Sequence, residues 1–180
     1  MKIKYVIIYI VIILSIIGSL VLYKNSRYIK FDNIESSIEN EIGCDITIQK
    51  QIVKSEEFFL FTYKENNQKF MGMYFYEKRL FGRYKRIGGS PKFKVFDRYL
   101  AGGSPLYYCV SGKNIDHMID KIKIDLGNYV YEEKILEEDY YLIPFKLKGR
   151  YELYDKIKFY NTDNKNITEE IIKIKMNAYD

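Results

Sequence analysis

The hydrophobic pattern begins with an uninterrupted apolar stretch, "YVIIYIVIILSIIGSLVLY", whose 19 residues (5–23) carry no charge. At a helical rise of about 1.5 Å per residue, this stretch spans about 28 Å, close to the thickness of a bilayer's hydrocarbon core. Basic residues flank it on both sides, and a tyrosine stands at each end, as is typical of membrane interfaces. The pattern predicts a transmembrane signal anchor over residues 1–24 and a linker over residues 25–31.

A cleaved signal peptide is the alternative interpretation of this segment. Such peptides have shorter apolar regions and small residues at both specificity positions of the cleavage site. Here only Gly18 and Ser19 come close, and the bulky Ile17 precedes them. We therefore expect an uncleaved anchor. A very short N-terminus before the span favours an inside N-terminus and an extracytoplasmic C-terminal domain.

After the linker, the segment "FDNIESSIENEIG" has the pattern of a short amphipathic helix. Ile34, Ile38 and Ile42 recur every four residues and so share one face. Asp32 is placed to cap the N-terminus, and Gly43 is placed to end the helix.

Strand patterns follow this helix. Residues 45–53 alternate between apolar and polar, whereas "FFLFTY" (58–63) and "FMGMYFY" (70–76) are apolar on both faces and should form central strands. Asn66 and Asn67 between them predict a hairpin turn, because Asn tolerates positive φ. Residues 32–99 are thus predicted to form a small α+β unit built on an antiparallel meander.

Residues 100–180 contain six short segments that we interpret as strands, which predicts a sandwich-like or barrel-like β-rich unit. Residues 114–123 also fit a helix, and we favour the strand there. The six segments are "LYYCV", "MIDKIKIDL", "YVYEEKI", "YYLIPFKL", residues 151–160 and "ITEEIIKIK". The predicted fold class is mainly β (α+β), and the unit at 32–99 and this one are free to share one core.

The motif Gly-Gly-Ser-Pro occurs twice, at 88–91 and 102–105. A phosphate-binding loop would need a helix directly after the glycines. The segments that follow both copies have extended patterns instead. We therefore predict two glycine turns that bracket one strand.

Charge is concentrated around these motifs. Residues 78–98 carry eight basic side chains against the single acid Asp97, although the whole chain has a net charge of only +5. Such a stretch predicts a binding surface for anionic lipid, a wall polymer or an acidic envelope protein. The basic residues are Lys78, Arg79, Arg83, Lys85, Arg86, Lys92, Lys94 and Arg98.

Two alternatives to a binding surface remain open for this stretch. Charged residues protect edge strands from aggregation. An acidic cluster elsewhere in the chain could also pair with the basic residues inside the molecule. Its members are Glu132, Glu133, Glu137, Glu138 and Asp139.

Residues suited to catalysis are few. His117 is the only histidine, and the chain has no CxxC, HExxH or G-x-S-x-G motif. Cys44 and Cys109 permit one disulfide if the domain is extracytoplasmic. We predict no enzyme activity, no cofactor and no metal site.

Together these features predict a membrane-anchored extracytoplasmic protein that serves as a non-enzymatic binding or scaffold module in a bacterial cell envelope. The abundance of Ile, Lys, Asn and Tyr suggests a low-GC Gram-positive source. The alternative function is a small immunity or secretion-accessory membrane protein. Nucleic acid is not expected as a partner if the domain lies outside the cell.

Overall fold

The computed structural model describes residues 2–26, 28–101, 105–127, 129–135, 137–148 and 156–179. Within them, strands account for 50% and helices for 28%. The prediction of a mainly β protein with short helices is therefore confirmed.

The N-terminal helix, α1, spans Lys2–Ser26. Apolar side chains are exposed around its whole circumference, including neighbours such as Ile12, Ile13 and Leu14, which point in different directions. Among the residues that the structure describes, no helix is both long and apolar enough to cross a membrane.

The second helix, α2, spans Ile34–Ile42 and buries Ile34 and Ile38, as its spacing predicts. Gly43 ends it in the left-handed conformation with φ of 81°, also as predicted. The expected cap was wrong: Asp32 lies within a 3₁₀ turn, and the residue before the helix is Asn33. The 3₁₀ turn at Phe31–Asn33 precedes α2, so the position before the helix is Asn33, one residue after the predicted cap.

The first sheet is antiparallel and has the order β1-β5-β4-β3-β2. The two segments predicted to be central lie in β3 and β4, which confirms their placement. Asn66 and Asn67 connect these strands with φ of 50° and 62°, which confirms the hairpin. The strands are β1 (Ile29–Lys30), β2 (Ile46–Val53), β3 (Glu56–Glu65), β4 (Gln68–Lys78) and β5 (Arg83–Phe93).

The first Gly-Gly-Ser-Pro motif lies inside β5, so the prediction of a turn at 88–91 was wrong. The register between β4 and β5 shifts in this region, which is the mark of β-bulges. Gly89 has φ of 146°, and a Cβ there would stand 2.2 Å from the Met73 carbonyl oxygen. The glycines therefore allow close strand approach at a bulge. The second motif falls largely on residues 102–104, outside the described residues.

Two three-stranded antiparallel sheets form the rest of the domain, with orders β10-β7-β6 and β11-β8-β9. The β8–β9 pairing confirms the predicted neighbours "MIDKIKIDL" and "YVYEEKI". Within the ambiguous residues 114–123, Ile115–His117 form a short 3₁₀ helix and the strand begins only at Lys121, so the strand interpretation holds for the last three residues alone. Residues 151–155, the first half of the fifth predicted strand, lie outside the described residues. The strands are β6 (Phe96–Ala101), β7 (Tyr107–Lys113), β8 (Lys121–Asp125), β9 (Val130–Lys134), β10 (Tyr140–Lys146) and β11 (Lys156–Tyr160).

The segment "ITEEIIKIK", predicted as a strand, is instead the helix α3 (Thr168–Asn177). Ile171 is buried, and Ile174 and Ala178 pack against the same cluster, so the inward positions recur every three to four residues. The strand prediction was wrong because the isoleucines of this segment fit both the two-residue period of a strand and the 3.6-residue period of a helix.

Three apolar clusters fill the interior. One lies between α2 and the first sheet, and another joins the two smaller sheets with α3. The third joins the other face of the first sheet, through Phe58 and Met73, to Tyr107 and Leu142 of the second sheet. Residues from both predicted units therefore contribute to a common core.

Candidate functional site

The eight basic residues predicted to form one surface are divided by the fold. Lys78, Arg79, Arg83 and Lys85 surround the connection between β4 and β5, and we call residues 78–85 the basic tip. The remaining four (Arg86, Lys92, Lys94 and Arg98) lie farther along β5 and on β6.

Residues of the second group are largely engaged within the domain. Arg86 forms an ion pair with Glu41 of α2, and its guanidinium lies 4.6 Å from the centre of the Tyr74 ring. Lys92 pairs with Glu65. These contacts tie β5 to its neighbours, so this part of the basic stretch is better explained by folding than by binding.

Lys94 and Arg98 also face the molecule's own C-terminal part. The Lys94 Nζ donates a hydrogen bond of 2.7 Å to the Ala178 carbonyl oxygen, near the C-terminal end of α3, where a cation is favoured by the helix dipole. Arg98 lines a groove beside α3. Two members of the acidic cluster pair with cations outside the basic stretch: Glu138 with Lys50, and Glu132 with Lys121.

The ion pair between Arg86 and Glu41 shifts the pKa values of both side chains. The hydrogen bond from Arg86 lowers the pKa of Glu41 below its usual value of 4.5, although partial burial opposes this. The same bond raises the pKa of Arg86. Burial raises the pKa of the nearby Tyr76 to about 12. The pair is thus ionised at neutral pH and has a structural role.

The basic tip contains both engaged and exposed cations: Arg79 pairs with Glu77, whereas Lys78 and Lys85 are exposed. The Arg79 backbone N–H donates a 2.7 Å hydrogen bond to the Arg83 carbonyl oxygen and closes the loop. At its apex, Leu80 is 69% exposed and Phe81 is 72% exposed, the highest values among the large apolar residues described in the folded domain. Phe81 has φ of 57°, which is uncommon for a bulky side chain.

Sequence reasoning identified the charges of the tip and missed its apolar pair. The signal was present in "KRLFGR", where two large apolar residues interrupt a basic run and precede a glycine. Adjacent strand residues point to opposite faces of a sheet, so Leu80 and Phe81 could both be buried only where both faces are covered.

The tip lies beside the point where the chain enters the domain. Strand β1 pairs with the start of β5, with Lys30 opposite Arg83. The Arg83 Nη1 donates a hydrogen bond of 3.2 Å to the Tyr28 carbonyl oxygen. The Arg79 guanidinium is 6.0 Å from the Tyr28 ring centre. A single residue lies between Tyr28 and Ser26, the last residue of α1.

The two cysteines are free and are not brought together. Cys44 packs against the cluster beneath α2, whereas Cys109 lies in the cluster between the first and second sheets. Burial raises the pKa of the Cys109 thiol well above its ordinary value. A thiol of this kind reacts poorly as a nucleophile.

Other arrangements offer less chemistry. In the described part of the chain, no group of three His, Cys, Asp or Glu side chains could hold a metal ion. His117 is half-exposed beside Asp139, with 3.4 Å between its Nε2 and the carboxylate. A groove of about 830 Å³ between β6, β11 and α3 is lined by Phe96, Arg98 and Glu169 among others. This lining contains neither histidine nor cysteine.

Comparison of the chain with known protein families, with characterised proteins and with solved structures finds no match.

Proposed function

We propose that this protein is a single-pass, membrane-anchored module of a bacterial cell envelope. Its α1 helix is the uncleaved anchor, and its β-rich domain lies outside the cytoplasm. The domain acts as a non-enzymatic binding or scaffold element, and the basic tip is its contact with an anionic partner.

The observation that carries this proposal is the charge-free stretch at residues 5–23, within a helix spanning Lys2–Ser26. Burying apolar surface is worth roughly 25 cal/mol per Å². A helix that exposes apolar side chains in every direction therefore gains most from a lipid environment.

The basic tip supports the binding role. Residues 77–85 contain four cationic side chains and the single carboxylate of Glu77, which pairs with Arg79. Lys78 and Lys85 are the exposed cations of the tip. Clustered cations of this kind attract anionic surfaces in a salt-sensitive way. The tip also offers an apolar pair beside these cations, which the rest of the basic stretch lacks.

Membrane fractionation of the C-terminally tagged full chain tests the anchor. The tag should remain in the membrane pellet after alkaline carbonate extraction. Replacing Ile12 and Ile16 by Asp should release it, because each charge at the centre of a span costs about 2.5–3.5 kcal/mol. Val53→Asp is the control, since Val53 is 65% exposed and lies outside α1. Wild-type chain in the soluble fraction would refute the anchor.

A further inference from the structure

We infer that the basic tip docks onto the same membrane that holds α1, with Leu80 and Phe81 in the interfacial layer and the surrounding cations on anionic lipid headgroups. This inference rests on the proposed anchor and names the anionic partner of the tip as lipid. The docked tip would fix the orientation of the domain on the membrane.

The first argument is the reach of the chain. Tyr28 lies five positions after Tyr23, the end of the charge-free stretch. Even a fully extended chain spans no more than about 18 Å over this separation. Arg83 is hydrogen-bonded to Tyr28. The tip is therefore held close to the headgroup layer, whatever orientation the rest of the domain adopts.

The second argument is the chemistry of the tip. Apolar side chains that enter the acyl–headgroup boundary, flanked by Lys and Arg that meet anionic phosphates, are the usual means of interfacial binding. Leu80 and Phe81 supply the apolar part. Lys78 and Lys85 are exposed, and they flank the apolar pair on either side. Their long aliphatic stems allow the charges to reach phosphates while the apex inserts.

The third argument is the conformation of the loop. Phe81 and Gly82 are both left-handed, with φ of 57° and 64°. Neither Leu80 nor Phe81 joins one of the three apolar clusters. Holding a phenylalanine left-handed and in water is unfavourable on both counts. Insertion into lipid offsets the second cost.

A wall polymer fits the tip less well than lipid does. Such a polymer would engage the cations and leave the two apolar side chains in water. Arg79 already pairs with Glu77, and Arg83 donates to the Tyr28 carbonyl oxygen. The exposed side chains of the tip are therefore Lys78, Leu80, Phe81 and Lys85. A partner that is both anionic and apolar suits these four, and the membrane is already within reach.

Tryptophan fluorescence tests the inference, because the chain contains no tryptophan. Phe81→Trp in the full chain places a single reporter at the apex. In vesicles of phosphatidylglycerol and phosphatidylcholine, its emission should shift to the blue, and brominated lipids should quench it. Vesicles of phosphatidylcholine alone should reduce both effects.

Met176→Trp is the matched control. Met176 is 67% exposed, close to the value for Phe81. It lies near the C-terminal end of α3, where Lys94 contacts the rings of Tyr179 and Phe70. Phe70 stands eight residues from Lys78 along β4, about 26 Å away. This reporter should keep water-like emission.

The outcomes separate the two proposals. If the chain floats with the vesicles but the tryptophan at 81 emits as in water, docking of the tip is refuted and the anchor stands. If the chain does not float with vesicles, both are refuted. Adding Lys78→Glu and Lys85→Glu should abolish the blue shift, and an unchanged shift would refute the role of anionic headgroups.

Discussion

Glu41 shows how a single ion pair sets a pH-dependent contribution to stability. Its pKa is lowered in the folded protein, mainly by the hydrogen bond from Arg86. Such a group stabilises the fold above its unfolded pKa, and this contribution is lost as the pH falls through the folded value. Because the two side chains are 40% and 45% exposed, the contribution is at most about 1 kcal/mol.

Glu41→Gln should therefore be less stable than the wild type at pH 7 by up to about 1 kcal/mol. The difference should vanish as the pH falls well below 4.5, the usual pKa of this group. Denaturant unfolding of both full-length chains in detergent micelles, at pH 7 and pH 3, measures it. A difference that stays constant or grows in acid would show that the pair does not act through the ionised carboxylate.

The backbone conformation was predictable at positions where the residue type alone determines it. Asn66, Asn67 and Gly43 adopt the left-handed conformations expected from the sequence. Gly88 and Gly89 were not predictable, because what requires glycine there is the neighbouring strand: the Met73 carbonyl oxygen leaves no room for a Cβ at Gly89. The sequence around these glycines does not indicate that Met73 of β4 will lie beside them.

At the level of elements, α3 offers the sharpest test, because its sequence also fits a strand. Ile171 is 1% exposed, whereas its neighbour Ile172 is 43% exposed. Ile171→Ala should cost about 2–5 kcal/mol of stability through the cavity that it leaves. Ile172→Ala should cost less than about 1 kcal/mol. Denaturant unfolding of both variants checks this, and similar losses would contradict the observed packing of α3.

Elements with strong patterns, such as β3 and β4, were predicted well because both of their faces are buried and their hairpin turn is explicit. The candidate site was predicted only in part. Its charges were found from composition, but its apex depends on the left-handed Phe81, which the sequence pattern does not reveal. The division of the basic stretch depends on partners such as Glu41 and Glu65, which are distant in sequence.

In the molecule as a whole, the charge-free helix, β1 and the basic tip come together at one end of the domain. The charge-free helix is followed within a few residues by β1, and β1 pairs with the strand that begins at the basic tip. In the proposed arrangement, one anchor and one contact point would together restrict how the domain turns on the membrane.

The central claim is that α1 anchors a domain that lies outside the cytoplasm, and protease shaving of intact protoplasts tests it most directly. The cells would express the full chain with a C-terminal tag, and lysed cells would serve as the control. The account predicts that the tag is lost from intact protoplasts while a cytoplasmic marker survives. A tag that persists until the cells are lysed would place the domain in the cytoplasm and contradict the account.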